Sequence, residues 1–249
     1  MSLDEFAIAG IQGMTGLDFP GLVSAVVFTQ GCNFHCPYCH NAHLIPHRET
    51  VAVCRDTSPG LLWAKYHGKL RHHGILEEDA LAFLRKRAKL LDGVVISGGE
   101  PTLQPGLAEF CRSVKTLGYK VKLDTNGSRP EVIRQLLDAG LLDYVAVDCK
   151  TLPERYYPEL CAEQDVAAAL RRTLALLRAA GPPYEVRTTC VEPFIGARAI
   201  EGLAALSKDA PWFLQKANLT PAMLAKGLVP IHTEDMERLA ELAGARIRF

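Results

Sequence analysis

Apolar positions along this chain fall into two rhythms that alternate: short unbroken runs, and longer stretches in which they recur every three or four residues. Residues 6–14 alternate weakly and predict a short edge strand, followed by a turn-rich link over Gly16–Gly21. Val23–Thr29 is an apolar run of the kind a buried strand shows. Residues 46–76 carry no readable pattern, broken by Pro46, Pro59, Gly60, Gly68 and Gly74, with room for a short helix around Leu61–Leu70. Beyond them the rhythm is regular. Leu81, Leu84, Ala88 and Leu91 lie at helical spacing, and the strand Gly93–Ser97 comes next. Leu107, Phe110, Cys111, Val114 and Leu117 predict the next helix, and Lys120–Thr125 the next strand. Glu131–Ala139 reads as helix and Asp143–Asp148 as strand. Val166, Ala169, Leu170, Leu174 and Leu177 form the clearest amphipathic stripe, stopped by Gly181-Pro182-Pro183. Tyr184–Cys190 (strand), Ala197–Leu206 (helix) and Trp212–Gln215 (strand) complete the series. Thr233 is placed to cap a last helix over Glu234–Ala243, leaving 247–249 as a tail.

Strands alternating with helices of this length predict successive βαβ units on a parallel sheet, with six such strands between Val23 and Gln215. Either a doubly wound sheet or an incomplete barrel satisfies that order. In both, ligands bind beyond the C-terminal ends of the strands. No linker or low-complexity stretch divides the chain, so residues 1–249 read as a single α/β domain: a core over 22–218, an insert at 46–76 and a C-terminal helical extension over 219–249.

Composition narrows the function by exclusion. Lys plus Arg number 28 and Asp plus Glu number 28, so no global field attracts nucleic acid or an anionic membrane. No run of about 18 apolar residues spans a bilayer, and the acidic start, Met1 to Glu5, lacks a signal-peptide pattern. The expected location is cytoplasmic, and Cys54, Cys111, Cys149, Cys161 and Cys190, scattered singly, read as thiols in a reducing compartment.

The other three of the eight cysteines stand together as Cys32, Cys36 and Cys39, spaced C-x3-C-x2-C directly after the first buried strand. A [4Fe–4S] cluster normally takes four thiolates, one per iron. Three thiolates leave one iron open, which suits chemistry better than electron relay. The alternative is zinc completed by His35, His40 or His43, but structural zinc loops pair their cysteines with a second pair further along, and this chain has none there.

Further motifs fall at later strand ends. Ser97-Gly98-Gly99-Glu100-Pro101-Thr102 joins two glycines, which let backbone approach closely, to a carboxylate. Leu123-Asp124-Thr125-Asn126-Gly127 reads equally well as a turn or as part of a site. In Val147-Asp148-Cys149-Lys150, alternation puts Asp148 and Lys150 on one face and Cys149 on the other. Arg187 and Thr189 share a face of the next strand, where an inward guanidinium suits a carboxylate and an outward one merely snorkels. Gln215 and Asn218 are weaker candidates for lining a pocket. His67, His72 and His73, among Lys65, Lys69 and Arg71, read as a solvated surface element or partner contact in preference to a metal site.

The C-x3-C-x2-C loop, with the aromatic Tyr38 before its third cysteine, resembles the signature of the radical S-adenosylmethionine (SAM) superfamily. The resemblance implies a partial (β/α)6 barrel and a [4Fe–4S] cluster held by Cys32, Cys36 and Cys39. It also implies that the open iron chelates SAM, and that one electron then cleaves it to methionine and a 5′-deoxyadenosyl radical. Carried over residue by residue, Gly98, Gly99 and Glu100 would receive the SAM ammonium. Asp124-Thr125-Asn126-Gly127 and Asp148-Cys149-Lys150 resemble segments of the glycyl-radical-enzyme activases, which implies that Asp124, Thr125 and Asp148 would serve a monovalent cation and that Asp148 and Lys150 would contact SAM; an inward Arg187 would suit the SAM carboxylate. Gly10-Ile11-Gln12-Gly13-Met14, Leu17–Gly21, Cys39-His40-Asn41 and Ser97–Gln104 are similar to the anaerobic ribonucleoside-triphosphate reductase activating proteins, within the glycyl-radical-enzyme activases. That adds Tyr38, His40 and Asn41 to the cofactor-binding set. It implies a glycyl radical enzyme as partner, the anaerobic reductase, and a flavodoxin- or ferredoxin-type electron donor. No protein general acid or base is expected.

Two features depart from that family. Some activases carry extra ferredoxin-like clusters after the first loop, whereas this chain has only Cys54 there, and the 46–76 insert has no counterpart. The rival readings are a radical SAM enzyme acting on a small molecule or peptide, and a non-catalytic iron–sulfur electron carrier or zinc-bearing module.

Overall fold

Alternating βα units are what the computed structural model contains; it describes residues 6–44 and 75–248. In chain order the main elements are β1 (Ile8–Thr15), β2 (Ser24–Thr29), α1 (Glu77–Lys86), β3 (Gly93–Gly98), α2 (Leu107–Thr116), β4 (Lys120–Thr125) and α3 (Pro130–Asp138). They continue with β5 (Tyr144–Asp148), α4 (Val166–Ala180), β6 (Tyr184–Glu192), α5 (Ala197–Leu206), β7 (Trp212–Lys216), β8 (Val229–Pro230), α6 (Thr233–Ala243) and β9 (Arg246–Arg248). The residues fall into two compact units: Met1–Cys32 with Asn41–Asp124 and Gln135–Tyr144, and Asn33–His40 with Thr125–Arg134 and Val145–Phe249.

In the first unit β1 runs antiparallel to β2, while β2, β3 and β4 are mutually parallel. Ser24, Ala25, Val26 and Val27 of β2 are buried in succession, without alternation, because a parallel strand is covered on both faces. Phe19, Val26 and Val95 pack together, with Leu22, Phe28 and Tyr144 against them. The register pairs Thr29 with Gly98, so the chain leaving β2 and the chain leaving β3 emerge side by side.

The second unit carries β5, β6, β7 and β9 in parallel, with β8 antiparallel to the end of β6. Here Asp148 is the register partner of Arg187, an opposite-charge pair directly across two strands. Glu185 is fully buried and takes a two-pronged pair from Arg248, both N–O distances 2.9 Å, and the Arg248 guanidinium lies 4.0 Å over the Phe213 ring.

Most elements fall where the pattern puts them, and three do not. The helix expected to run to Leu91 stops at Lys86. Beyond it the chain makes two tighter turns, Arg87 N–H to Leu84 O and Leu90 N–H to Arg87 O, both 2.8 Å, before Leu91 N–H returns to Arg87 O at 3.1 Å. Those turns still bury Leu91, so the apolar spacing persists without the helix. Thr233 is the first helical residue of α6, not its cap; His232 holds the cap position and makes no side-chain cap bond. The expected tail is β9, drawn into the sheet by its pairing with β7 and by the Arg248–Glu185 contact. The Leu61–Leu70 helix, the basic His67, His72 and His73 cluster and Cys54 lie outside the described residues. Cys111, Cys149, Cys161 and Cys190 are buried, and among the described residues none is in a disulfide.

Removing one partner of a buried pair leaves an uncompensated charge. Arg248→Met is expected to lower stability by about 3 kcal/mol, and Arg248→Met with Glu185→Gln to recover most of it, both read from urea midpoints.

Candidate functional site

The first unit brings the Gly31-Cys32 step against the Gly98–Glu100 turn. Gly99 N–H donates to Thr29 O (3.0 Å) and Glu100 N–H to Gly31 O (2.8 Å), continuing between the two emerging loops the contact their parent strands make. The approach is so close that a Cβ on Gly99 would lie 1.8 Å from Gly31 O. Gly98 has φ +114°, and a Cβ there would meet Thr29 backbone atoms at 2.4 and 2.6 Å. Asn41, on the far side of the cysteine loop, donates from Nδ2 to Gly98 O (3.2 Å). Glu100 is buried; its Oε1 accepts from Thr102 N (3.1 Å) and Thr102 Oγ1 (2.5 Å), which fixes the carboxylate at the turn.

Asp124, at the end of β4, is met by a residue that sequence reasoning passed over. Lys122 is fully buried, its Nζ 2.6 Å from Asp124 Oδ1 and 5.9 Å from the Tyr144 ring centroid. The signal was present: two residues back along a strand is the same face, and a lysine inside an apolar strand needs a partner there.

The second unit holds the rest of the cysteine loop. Cys39 N–H donates to Cys36 O (3.1 Å), closing a turn over Pro37 and Tyr38. Tyr38 is buried against Phe194, ring centroids 5.2 Å apart, and its hydroxyl donates to Lys150 O (3.1 Å). The carbonyl of Asn218 lies 3.0 Å from His40 Nε2, which ties that weaker candidate to the loop. Asn33 is likewise held: Nδ2 donates to Ser128 Oγ (3.0 Å), and Asn126 Nδ2 donates to Asn33 Oδ1 (2.9 Å). Arg129 grips Glu163 through two 2.8 Å bonds beside them. Thr125 Oγ1 accepts from Gly127 N–H (3.1 Å), so Thr125 forms the turn at Asn126-Gly127 for which the sequence offered Asp124.

Asp148 is the electrostatic hub of this unit. Arg187 Nε lies 2.8 Å from Oδ1 and Lys150 Nζ 3.3 Å from Oδ2. Burial alone would raise its pKa, but the guanidinium and the ammonium outweigh burial and bring it from 3.8 to about 2. For Lys150 burial works downward, and the Asp148 charge more than reverses it, holding the ammonium well above its ordinary range. Burial lifts the Cys36 thiol to about 11, with Lys150 acting against it, and keeps the phenols of Tyr38 and Tyr156 protonated well beyond the usual range.

Cys32, Cys36 and Cys39 are half-buried and outside any disulfide. Among the described residues no three His, Cys, Asp or Glu side chains converge on a point that one metal ion could occupy. The donor set suits a cluster instead: three thiols on one loop, one for each of three irons. Each unit also offers polar groups already oriented, glycine backbone and a carboxylate in the first, a carboxylate with its two cations in the second. The three thiols fit a [4Fe–4S] cluster.

Comparison with known proteins agrees with that chemistry. The Radical SAM superfamily pattern matches residues 26–196. A Methanocaldococcus jannaschii protein that bears, by assignment, the name of a glycyl-radical enzyme activating enzyme is 33% identical over 207 residues, 81% of this chain and 75% of its own length. The 7-carboxy-7-deazaguanine synthase of Thermococcus kodakarensis is 32% identical over 124 residues, 48% of this chain and 46% of that one. The pyruvate formate-lyase-activating enzyme of Clostridium pasteurianum is 33% identical over 145 residues, 57% of this chain and 53% of its own. Streptococcus suis SuiB, crystallised with S-adenosylmethionine, superposes with a TM-score of 0.63 over 90% of this chain and 49% of its own, at 13% identity. At that identity the likeness shows the fold, an α/β parallel sheet of the radical SAM partial-barrel type. Among the described residues no helix is long and apolar enough to cross a membrane.

The geometry gives two expected outcomes. Gly99→Ala places a methyl against backbone that cannot yield, and is expected to cost the metal-free protein about 1–3 kcal/mol by denaturant midpoint. A carboxylate whose pKa is lowered on folding adds stability above its unfolded pKa and loses it as the pH falls through the folded one. The advantage of wild type over Asp148→Asn, read by urea titration, is therefore expected to be constant above 3.8 and to shrink as pH falls toward about 2.

Proposed function

This chain belongs to the radical SAM superfamily, and from that premise we propose that it is a glycyl-radical-enzyme activase whose partner is an anaerobic ribonucleoside-triphosphate reductase. It is a radical SAM enzyme using a [4Fe–4S] cluster and SAM. The observation that carries the finer reading is the 33% identity to the Methanocaldococcus protein, which extends over 81% of the chain, well beyond the cysteine loop. The Gly10–Met14 and Leu17–Gly21 runs, outside the superfamily match, support the reductase as the particular partner.

In this reading Cys32, Cys36 and Cys39 hold the cluster. When bound and reduced, the cluster supplies the electron that splits SAM, and with it the means to remove a hydrogen atom from a backbone glycine. The chain's own part is to bind and orient. Backbone at Gly98 and Gly99, with the Glu100 carboxylate, receives the SAM ammonium. Asp148, Lys150 and Arg187 meet its polar groups, and Tyr38, His40 and Asn41 hold the loop that presents it. Within the second unit the buried pair of Tyr38 and Phe194 packs under the loop. Asp124, Thr125 and Asp148 form the monovalent-cation set, in which Lys122 competes for Asp124 by placing an ammonium 2.6 Å away. A flavodoxin- or ferredoxin-type protein supplies the electron.

The similarity to 7-carboxy-7-deazaguanine synthase over 48% of the chain favours a second reading, a small-molecule substrate on the same core. The two separate in one experiment. Cluster-reconstituted protein, SAM and a strong reductant are combined anaerobically with and without the reductase, and 5′-deoxyadenosine and electron paramagnetic resonance are read from the same tubes. A glycine-centred doublet appearing only with the reductase is expected. Deoxyadenosine without that doublet would overturn the reductase as partner, and no deoxyadenosine from an intact cluster would overturn the SAM-cleaving activity.

A further inference from the structure

Lys150 lies two residues beyond the end of β5, where the sheet ladder no longer supplies partners for its backbone. Preceding it, Cys149 N–H still reaches Arg187 O (2.8 Å), and Cys149 O still accepts from Thr188 Oγ1 (2.7 Å). At Lys150 two phenols take over. Its N–H donates to the Tyr156 hydroxyl (2.8 Å), and its carbonyl accepts from the Tyr38 hydroxyl (3.1 Å). The whole peptide environment of one lysine is thus set by two tyrosines from different places in the chain. Both rings are buried, Tyr156 almost completely at 1% exposure.

The two tyrosines are themselves joined to the cysteine loop. Tyr38 stands between Cys36 and Cys39. The Tyr156 ring meets Phe34, two residues before Cys36, at a centroid distance of 5.5 Å and an interplanar angle of 73°. Phe34 forms an isolated antiparallel bridge with Cys161, and His35 N–H donates to Leu160 O (2.8 Å). Residues 156–161 therefore grip the loop through backbone on one side and hold Lys150 through a hydroxyl on the other.

We infer that Tyr156 is a positioning residue that locks the cysteine loop and the Asp148–Lys150 turn into one body, with Tyr38 closing the clamp from within the loop. Its effect is exerted through the Lys150 backbone. With that peptide fixed, the ammonium reaches Asp148 at 3.3 Å, and the Asp148–Lys150–Arg187 group keeps its place relative to Cys36 and Cys39. The Tyr156 ring braces the loop, whereas its hydroxyl sets the lysine. The inference rests on the reading of Lys150 as a SAM contact only for its effect on affinity; the clamp itself is independent of that reading.

The test uses cluster-loaded full-length protein with SAM as the titrant. Tyr156→Phe keeps the ring and removes the acceptor, leaving a buried N–H unsatisfied. It is expected to retain wild-type iron and sulfide content while weakening SAM binding about tenfold. Exchange of the Lys150 amide, monitored by mass spectrometry, is expected to quicken by about the same factor. In a Lys150→Ala background the added loss of SAM affinity on Tyr156→Phe is expected to vanish, because the ammonium through which it acts is gone. Tyr38→Phe approaches from the loop side and is expected to weaken SAM binding in the same direction. Unchanged Lys150 amide exchange in Tyr156→Phe would overturn the clamp. A full tenfold loss persisting in the Lys150→Ala background would overturn its action through Lys150. If Lys150→Ala alone leaves SAM affinity at the wild-type value, the SAM contact assigned to Lys150 fails, and amide exchange still decides the clamp.

Discussion

A strand of a parallel sheet loses its partners where it outruns its neighbours, and every backbone group past that point must find another one. The chemistry of this protein is arranged around that constraint. Beyond β2 and β3 the loops solve it by pressing glycine backbone against glycine backbone, Gly99 and Glu100 on Thr29 and Gly31. Beyond β5 the solution is a pair of phenols on one lysine peptide. Within the first unit Asn41 is fixed on Gly98 O, and within the second His35 N–H is fixed on Leu160 O. Each segment of the cysteine loop is thus shaped by its own unit's backbone.

The second constraint is electrostatic. Burying a charge costs several kcal/mol unless it is paired, and five buried or half-buried carboxylates among the described residues meet cations from their own unit. Lys122 serves Asp124, Lys115 serves Asp143, Arg187 and Lys150 serve Asp148, Arg129 serves Glu163, and Arg248 serves Glu185. The consequences differ with position. Arg248 and Glu185 lie beside the Phe213 ring and fasten β9 to the sheet, a structural role. Asp148 and Lys150 lie at a strand end near Cys36, close enough that the lysine's charge opposes the burial that raises that thiol.

The order of elements was legible because apolar runs and helical stripes obey different periods, and a parallel sheet keeps its strands apolar on both faces. Helix ends were less so. Leu91 is buried at helical spacing, yet tighter turns at Arg87 and Leu90 interrupt the helix before it, and a side-chain pattern does not distinguish the two. The strand β9 was missed because Arg246-Ile247-Arg248 has no apolar run; its place depends on a buried glutamate 63 residues away. The C-x3-C-x2-C spacing and the shared face of Asp148 and Lys150 were legible because both patterns are local. Lys122 and Tyr156 could not be singled out so directly. Tyr156 sits six residues from Lys150 and 122 from Phe34, and only folding shows that one ring serves both.

Pre-paired charges also limit what such a site accepts. A simple anion would leave Asp148 in competition for Arg187 and Lys150, and a simple cation would compete with the Lys122 ammonium for Asp124. Within each unit a ligand group therefore has to exchange with a partner already in place, not fill a vacant charge. Selection then comes from the geometry of the exchange more than from raw attraction, which suits a site whose donors and acceptors are fixed in advance. The rigidity of the strand-end loops and the pairing of the charges are in this sense one requirement, because exchanging partners discriminates only when the partners stay where they are.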